Sequence, residues 1–353
     1  MIKTALFTAS LLAGSIVLAQ NPSSIRVDVS LMTLDVMASD AGGRPVTDLT
    51  QADFQIFEDG QPQEIRTFSP VESAYSILLL IDRSTSMENH WPLMNPAIAR
   101  FLANLKPQDR ISIGAFDERS KSVELLLDWR TVESGSSIQV AINPVAKGNR
   151  YEVLAGRAGR ASVSAPEKDF YAALEWSLRR VASVAGRKGV LVFTDGRQPG
   201  APTKRTTIDG AMYNYLADAQ DDGAFRKLLG AIQDSKARFD FVAVNTDMNP
   251  EGDPLQPSLQ FDTIDAPLIF GMSVRSRLEQ MAAISGGRLA LPKRPEDTVK
   301  LYENIAHELG TSYTLGYSPA AAVLKDGRYH RIEVQSSRPG LTVQQSRDGY
   351  TGR

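Results

Sequence analysis

Apolar and polar positions alternate from Ile25 to Pro70, which predicts a small β module. Ile25-Arg26-Val27-Asp28-Val29-Ser30-Leu31 alternates, Leu34 to Ala38 follows, and Ala41-Gly42-Gly43-Arg44-Pro45-Val46 reads as a turn. Phe54 to Gly60 gives another alternating strand that ends in the turn Asp59-Gly60, with Gln63 to Phe68 as its hairpin partner. At Ser76 the character changes. Ser76-Ile77-Leu78-Leu79-Leu80-Ile81 is a continuous apolar run, the pattern of a parallel strand covered on both faces. A helix follows, with Asn95 as cap, Pro96 at its first position and a stripe of Ile98, Phe101, Leu102 and Leu105 before Pro107.

The same alternation of buried strands and amphipathic helices continues. Strands are predicted over Ile111 to Phe116 and Val123 to Leu127, and Phe170, Leu174, Ser177, Leu178 and Val181 mark a second helix leading into the strand Gly189 to Phe193. Phe225, Leu228, Leu229 and Ile232 stripe a third helix before the strand Phe239 to Val244. Leu278, Met281 and Ala282 mark a fourth, ended by Gly286-Gly287, and Tyr302, Ile305 and Leu309 a fifth, ended by Gly310. From Ser312 the pattern is β again: Tyr313 to Tyr317, Arg328 to Gln335, the turn Pro339-Gly340, and Leu341 to Gln345. The fold class implied is α/β, a doubly wound and mostly parallel sheet, with a small β subdomain formed by the two flanks. Residues 20–72 would be the N-terminal β module, 73–311 the α/β domain and 312–353 the β segment that pairs back onto the module. Residues 143–168, rich in Lys and Arg, and residues 247–271, with five acidic side chains and no basic one, fit neither layer and read as loops.

Residues 1–19 carry Lys3, a short apolar run from Ala5 to Leu18 and the small residues before Gln20, the pattern of a secretory signal peptide. The mature chain would begin at Gln20 and act in the periplasm or outside the cell. Past that point no run of 18 apolar residues occurs, so no transmembrane segment is expected. The 353 residues hold 39 basic and 41 acidic side chains, a net charge of -2, which removes the electrostatic footprint of a nucleic-acid binder. The absence of cysteine excludes disulfides, thiolate catalysis and sulfur-ligated zinc.

The candidate chemistry lies at the ends of two apolar strands. Asp82-Arg83-Ser84-Thr85-Ser86 places one carboxylate and two hydroxyls where ligands of parallel sheets bind. Oxygen donors with few charges suit Mg²⁺ or another hard divalent cation. A second carboxylate, Asp195, follows the other buried strand in Phe193-Thr194-Asp195-Gly196. Together these residues resemble the von Willebrand factor type A domain and its metal-ion-dependent adhesion site. The resemblance implies that Asp82, Ser84, Ser86 and Asp195 surround a divalent ion, which an acidic residue of a protein partner completes.

In that family a Thr from a later loop joins the set, whereas Lys168 occupies the matching position here. Its ammonium either takes the place of the ion between the carboxylates or points outward, leaving Asp169, Ser162 or Ser164 to supply an oxygen. The flanks, including Phe57-Glu58-Asp59-Gly60, Leu315-Gly316-Tyr317-Ser318-Pro319 and Arg338-Pro339-Gly340-Leu341, are similar to those of secreted type A-related proteins common in acidobacteria.

The expected function is therefore a secreted, non-catalytic, adhesion-type protein-binding module. Arg83, His90, Trp91 and Arg150 are candidate partner contacts. A metal-dependent hydrolase is the rival reading, and metal-independent binding through Lys168 a third. Neither a Gly-x-Ser-x-Gly elbow nor a phosphate-binding Gly-x-x-x-x-Gly-Lys-Ser/Thr loop is present. Asp247 to Asp253 only partly matches a calcium loop, since Ser258 stands where a bidentate Glu belongs.

Overall fold

The computed structural model describes residues 31–117, 123–133, 138, 169–208, 210–244, 266–292, 297–320 and 323–352. The chain opens with strands β1 (Met32–Ser39), β2 (Phe54–Glu58), β3 (Gln61–Gln63) and β4 (Thr67–Ser69). An α/β unit follows, with β5 (Tyr75–Asp82), α1 (Trp91–Ala103), β6 (Arg110–Phe116), β7 (Glu124–Thr131), α2 (Phe170–Ala182) and β8 (Arg187–Thr194). It continues through β9 (Thr203–Ile208), β10 (Ala211–Leu216), α3 (Gly223–Asp234), β11 (Arg238–Ala243), α4 (Ala266–Ser285), β12 (Leu289–Ala290) and α5 (Asp297–Thr311). The last strands are β13 (Tyr313–Tyr317), β14 (Tyr329–Ser336), β15 (Thr342–Gln345) and β16 (Gly349–Thr351).

Every residue of β5 is buried, which explains its unbroken apolar sequence. It lies inside a six-stranded sheet of order β12-β11-β8-β5-β6-β7, parallel throughout except for β7. Ile77, Leu79 and Ile81 point to one face, where Ile98 and Phe101 of α1 and Tyr302 and Leu309 of α5 cover them. Leu78 and Leu80 point to the other, against Phe170 and Leu174 of α2, Phe225 and Leu228 of α3 and Leu278 of α4. Helices on both faces make this the expected doubly wound unit. In chain order its strands run 3-2-1-4-5-6, so the order reverses between β5 and β8.

The first and last strands interlace. β1 pairs with β13 and β15, while β14 pairs with β2 and β16, giving two four-stranded sheets around Leu34, Val36, Phe54, Ile56, Tyr317 and Ile332. At the junction with the α/β unit, Arg238 binds Asp240 through two hydrogen bonds of 2.8 Å and Glu308 through a third of 2.8 Å.

Four details depart from the sequence expectation. The stretch proposed as hairpin partner of β2 divides: Gln61–Gln63 pairs with β2, but Thr67–Ser69 joins β13 in the other sheet. Asp59 and Gly60, with φ of 49° and 77°, form a tight turn that sets Gln61 opposite Glu58. Phe68 instead packs on Tyr313, with ring centroids 5.9 Å apart. α1 begins at Trp91 rather than at Pro96, because buried Trp91 and Met94 extend the apolar stripe backwards. α4 begins at Ala266, inside the stretch read as an acidic loop. Finally, β9 and β10 form a hairpin that the sequence reading did not include, although Asp209-Gly210 between two runs rich in Thr and Tyr is a hairpin signal.

Candidate functional site

The reversal of strand order between β5 and β8 leaves a crevice at their carboxyl ends, the position where open α/β sheets bind ligands. The register that pairs Ile81 with Phe193 brings the next residues, Asp82 and Thr194, side by side. Thr194 Oγ1 donates to Asp82 Oδ2 at 2.7 Å, and the backbone N–H of Ser84 donates to Asp82 Oδ1 at 2.9 Å. Both residues are wholly buried. The carboxylate is thus fixed in plane before any ligand arrives.

Ser84 Oγ lies 3.0 Å from Ser86 Oγ. Oxygens at about 2.1 Å from one Mg²⁺, at right angles, stand about 3 Å apart, so the two hydroxyls have the spacing of neighbouring positions in an octahedral shell. Ser84 is buried while Ser86 is exposed, so the pair runs from the floor of the crevice to its rim. Asp195 is buried, with Oδ1 accepting from Arg197 N at 3.0 Å and Oδ2 3.7 Å from Arg197 Nε. The donor set of Asp82, Ser84, Ser86 and Asp195 is chemically suited to a small hard cation. Among the described residues no group of three or more His, Cys, Asp and Glu is placed to hold a metal, so such a site depends on the serine hydroxyls.

The loop after β8 is shaped for this position. Gly196 has φ of 70°, and a Cβ there would stand 2.7 Å from Leu278 Cδ1 and 2.9 Å from Val274 Cγ1 of α4. Thr194 Oγ1 also accepts from Gly196 N at 2.9 Å, so one hydroxyl ties Asp82 to the turn that carries Asp195. Gln198 accepts from Tyr171 N at 2.9 Å, joining the loop to the start of α2.

The other expected site residues fall into four groups. Asp169 caps α2 by accepting from Ala172 N at 3.0 Å. Arg83 bonds Glu124 on β7 at 2.6 Å and lies 3.8 Å from Asp117, so acidic groups on its own rim engage its charge. His90 and Trp91, expected as partner contacts, are 6% and 7% exposed; Trp91 packs in the core beneath the loop, and neither side chain forms part of the rim. Lys168, Arg150, Ser162, Ser164 and the partial calcium loop lie outside the described residues. Thr194 is the residue that sequence reasoning missed. Its signal was the apolar run that ends directly in Thr-Asp-Gly.

No family model matches this chain, and no curated protein matches it. Similar solved structures include a von Willebrand factor type A protein from Catenulispora acidiphila, at 9% identity over 91% of this chain and 74% of that one, with a TM-score of 0.43. The ArnB paralog VWA2 from Sulfolobus acidocaldarius is 12% identical over 90% of this chain and 76% of that one, with a TM-score of 0.37. The pilus adhesin SpaC from Lactobacillus rhamnosus GG, in an open conformation, is 10% identical over 92% of this chain and 47% of that one, with a TM-score of 0.44. Von Willebrand factor type A domains are thus among the solved structures to which this chain is similar.

Proposed function

We propose that this protein is an exported, non-catalytic protein-binding module that engages its partner at the carboxyl edge of the six-stranded sheet. Mg²⁺ or another divalent cation would be held by Ser84 and Ser86 directly and by Asp82 and Asp195 directly or through water, with an acidic side chain of the partner completing the shell. The observation that carries this reading is the Ser84 and Ser86 hydroxyl pair, 3.0 Å apart, beside the buried Asp82 at the reversal of strand order. Such an ion polarises and orients a carboxylate. One metal contact does not make a stable complex, so the surrounding loops would supply most of the interface area. Hydrolysis through the same ion would need a general base within reach of a bound water, and His90, the histidine that follows the serines in the chain, is buried.

The test is calorimetric titration of Mg²⁺, Mn²⁺ and Ca²⁺ into the chain starting at Gln20, with Asp82→Ala, Ser86→Ala and Lys168→Thr alongside. Saturable binding that falls in Asp82→Ala and in Ser86→Ala supports the reading; the second variant removes only an exposed hydroxyl and so guards against misfolding. Wild-type protein without saturable binding, joined by a Lys168→Thr variant that binds, would overturn the metal and support Lys168 as the resident cation. Equal binding by wild type and both loss variants would place the ion elsewhere.

A further inference from the structure

At the opposite end of the sheet, between the β module and the amino ends of β5, β8 and β11, lies a cavity of about 350 Å³. Its volume is at the lower end of those that hold small molecules. Arg187, Lys188, Lys236 and Arg238 from the α/β unit line it, and Asp35 of β1 is the acidic side chain that lines it with them.

The four cations are not equivalent. Arg238 is answered by Asp240 and Glu308, each at 2.8 Å, and by Asp35 at 3.7 Å. Arg187 is 4% exposed, yet its guanidinium meets only uncharged groups: Thr314 Oγ1 at 3.0 Å, the carbonyls of Val71, Ser73, Leu309 and Ser312 at 2.7–3.4 Å, and the Tyr75 ring at 4.7 Å. Lys188 Nζ donates to the carbonyls of Val181 and Val184 at 3.2 and 3.4 Å. Among the described residues no carboxylate lies within ion-pair distance of Arg187, Lys188 or Lys236.

Buried charges are ordinarily paired, because carbonyl dipoles return only part of the lost hydration. Arg187 is the buried one of the three, Lys188 is half-buried and Lys236 exposed; with Arg288 on Glu308 at 3.0 Å, five cations face three carboxylates around the cavity, a surplus of two positive charges. It is also felt locally: burial and then the neighbouring Lys236 hold the Lys188 ammonium below its usual range, and burial and then Arg187 do the same to Lys106. Thr314 Oγ1, which accepts from Arg187 Nε, donates to Asp35 Oδ1 at 2.6 Å, so a hydroxyl stands between Arg187 and that carboxylate, whose other oxygen lies 3.7 Å from Arg238.

We infer that this cavity binds a small dianionic oxyanion of the phosphate-monoester or dicarboxylate class, with Lys188 and Lys236 as its direct partners and Arg187 as a fixed positive charge behind them. A dianion matches the surplus better than a monoanion, and lysine ammoniums recognise phosphate and carboxylate as point charges. The wall formed by both parts of the molecule means that the ligand would also bridge the β module and the α/β unit.

Calorimetry with phenyl phosphate, succinate and acetate, on the chain from Gln20 at low salt, tests this. The dianions should bind saturably and acetate about tenfold or more weaker, and the stronger of the two dianions identifies the class. Lys236→Glu, an exposed position, should weaken dianion binding at least about tenfold and leave the Mg²⁺ titration unchanged. Lys188→Ala provides the second loss. In NMR, the Lys188 ammonium should titrate higher with ligand than without. Absence of saturable dianion binding up to about 10 mM, or equal affinities in wild type and Lys236→Glu, would overturn the inference.

Discussion

Thr194→Val isolates the hydroxyl that organises the carboxyl edge. Valine keeps the shape of threonine and removes only its hydrogen bonds. Two are lost: the one to Asp82 Oδ2 at 2.7 Å and the one from Gly196 N at 2.9 Å, both fully buried. A buried acceptor or donor that loses its partner costs about 1–3 kcal/mol, with charged groups at the upper end, so about 3–4 kcal/mol is expected for the pair. That is a large fraction of the 5–15 kcal/mol that separates native from unfolded protein. With an m-value of about 3 kcal/mol per M, the urea midpoint should fall by about 1 M. All three tryptophans, Trp91, Trp129 and Trp176, belong to the α/β unit, so their fluorescence follows the right transition. Thr194→Ser is the control: it keeps both bonds and loses one methyl, about 1 kcal/mol. If valine and serine variants shift the midpoint equally, the hydroxyl does not hold the edge together and the reasoning fails.

Two further predictions also concern stability. Gly196→Ala should destabilise the α/β unit by about 2–4 kcal/mol, combining a left-handed backbone with a Cβ driven into Leu278 and Val274; a midpoint equal to wild type would show that α4 yields. His330, buried in the β module, faces Asp326 Oδ1 from Nε2 at 3.0 Å and Asp59 Oδ2 from Nδ1 at 2.7 Å. Hydrogen bonds to Asp326 and then Asp59 raise its pKa, and hydrogen bonds that include those from His330 lower both carboxyls. A raised histidine contributes stability that is fully present below its unfolded value of about 6.5 and lost as pH rises through the folded value. The lowered carboxyls lose their part only in acid, as pH falls through their folded values. His330→Gln should therefore lower Tm most near about pH 6 and least near about pH 9, and a difference in Tm that is flat across this range would refute the clamp.

Much of the fold was legible because β5, β8 and β11 are buried on both faces and so carry unbroken apolar runs, while each helix shows one stripe. The positions of Asp82 and Asp195 followed from where those runs end. Thr194 was harder to assign, since a threonine closing a strand is ordinary β chemistry, and only the register between β5 and β8 reveals that its hydroxyl meets Asp82. His90 and Trp91 looked like rim residues because they follow the serines closely. The short helical turn Thr85–His90 carries them inward instead, and Trp91 continues the α1 stripe into the core. Phe68 misled in a similar way, since its alternation is real but its partner, Tyr313, lies 245 residues away in the chain and in the other sheet.

The cavity was invisible in sequence for the same reason. Its cations come from β8, the turn before β11 and β11 itself, and its acid comes from β1, all joined only by the closure of the β module on the sheet. β8 connects the two proposed sites: Arg187 and Lys188 stand at its start and Thr194 at its end, about 20 Å apart along an extended strand. Groups so far apart that share no partner act additively unless an element between them has two arrangements. Pairing with β5 on one side and β11 on the other holds β8 in one register. Metal affinity at Ser84 and Ser86 should thus be the same with the cavity filled or empty, and a coupling between the two titrations would mean that β8 moves as a unit between them.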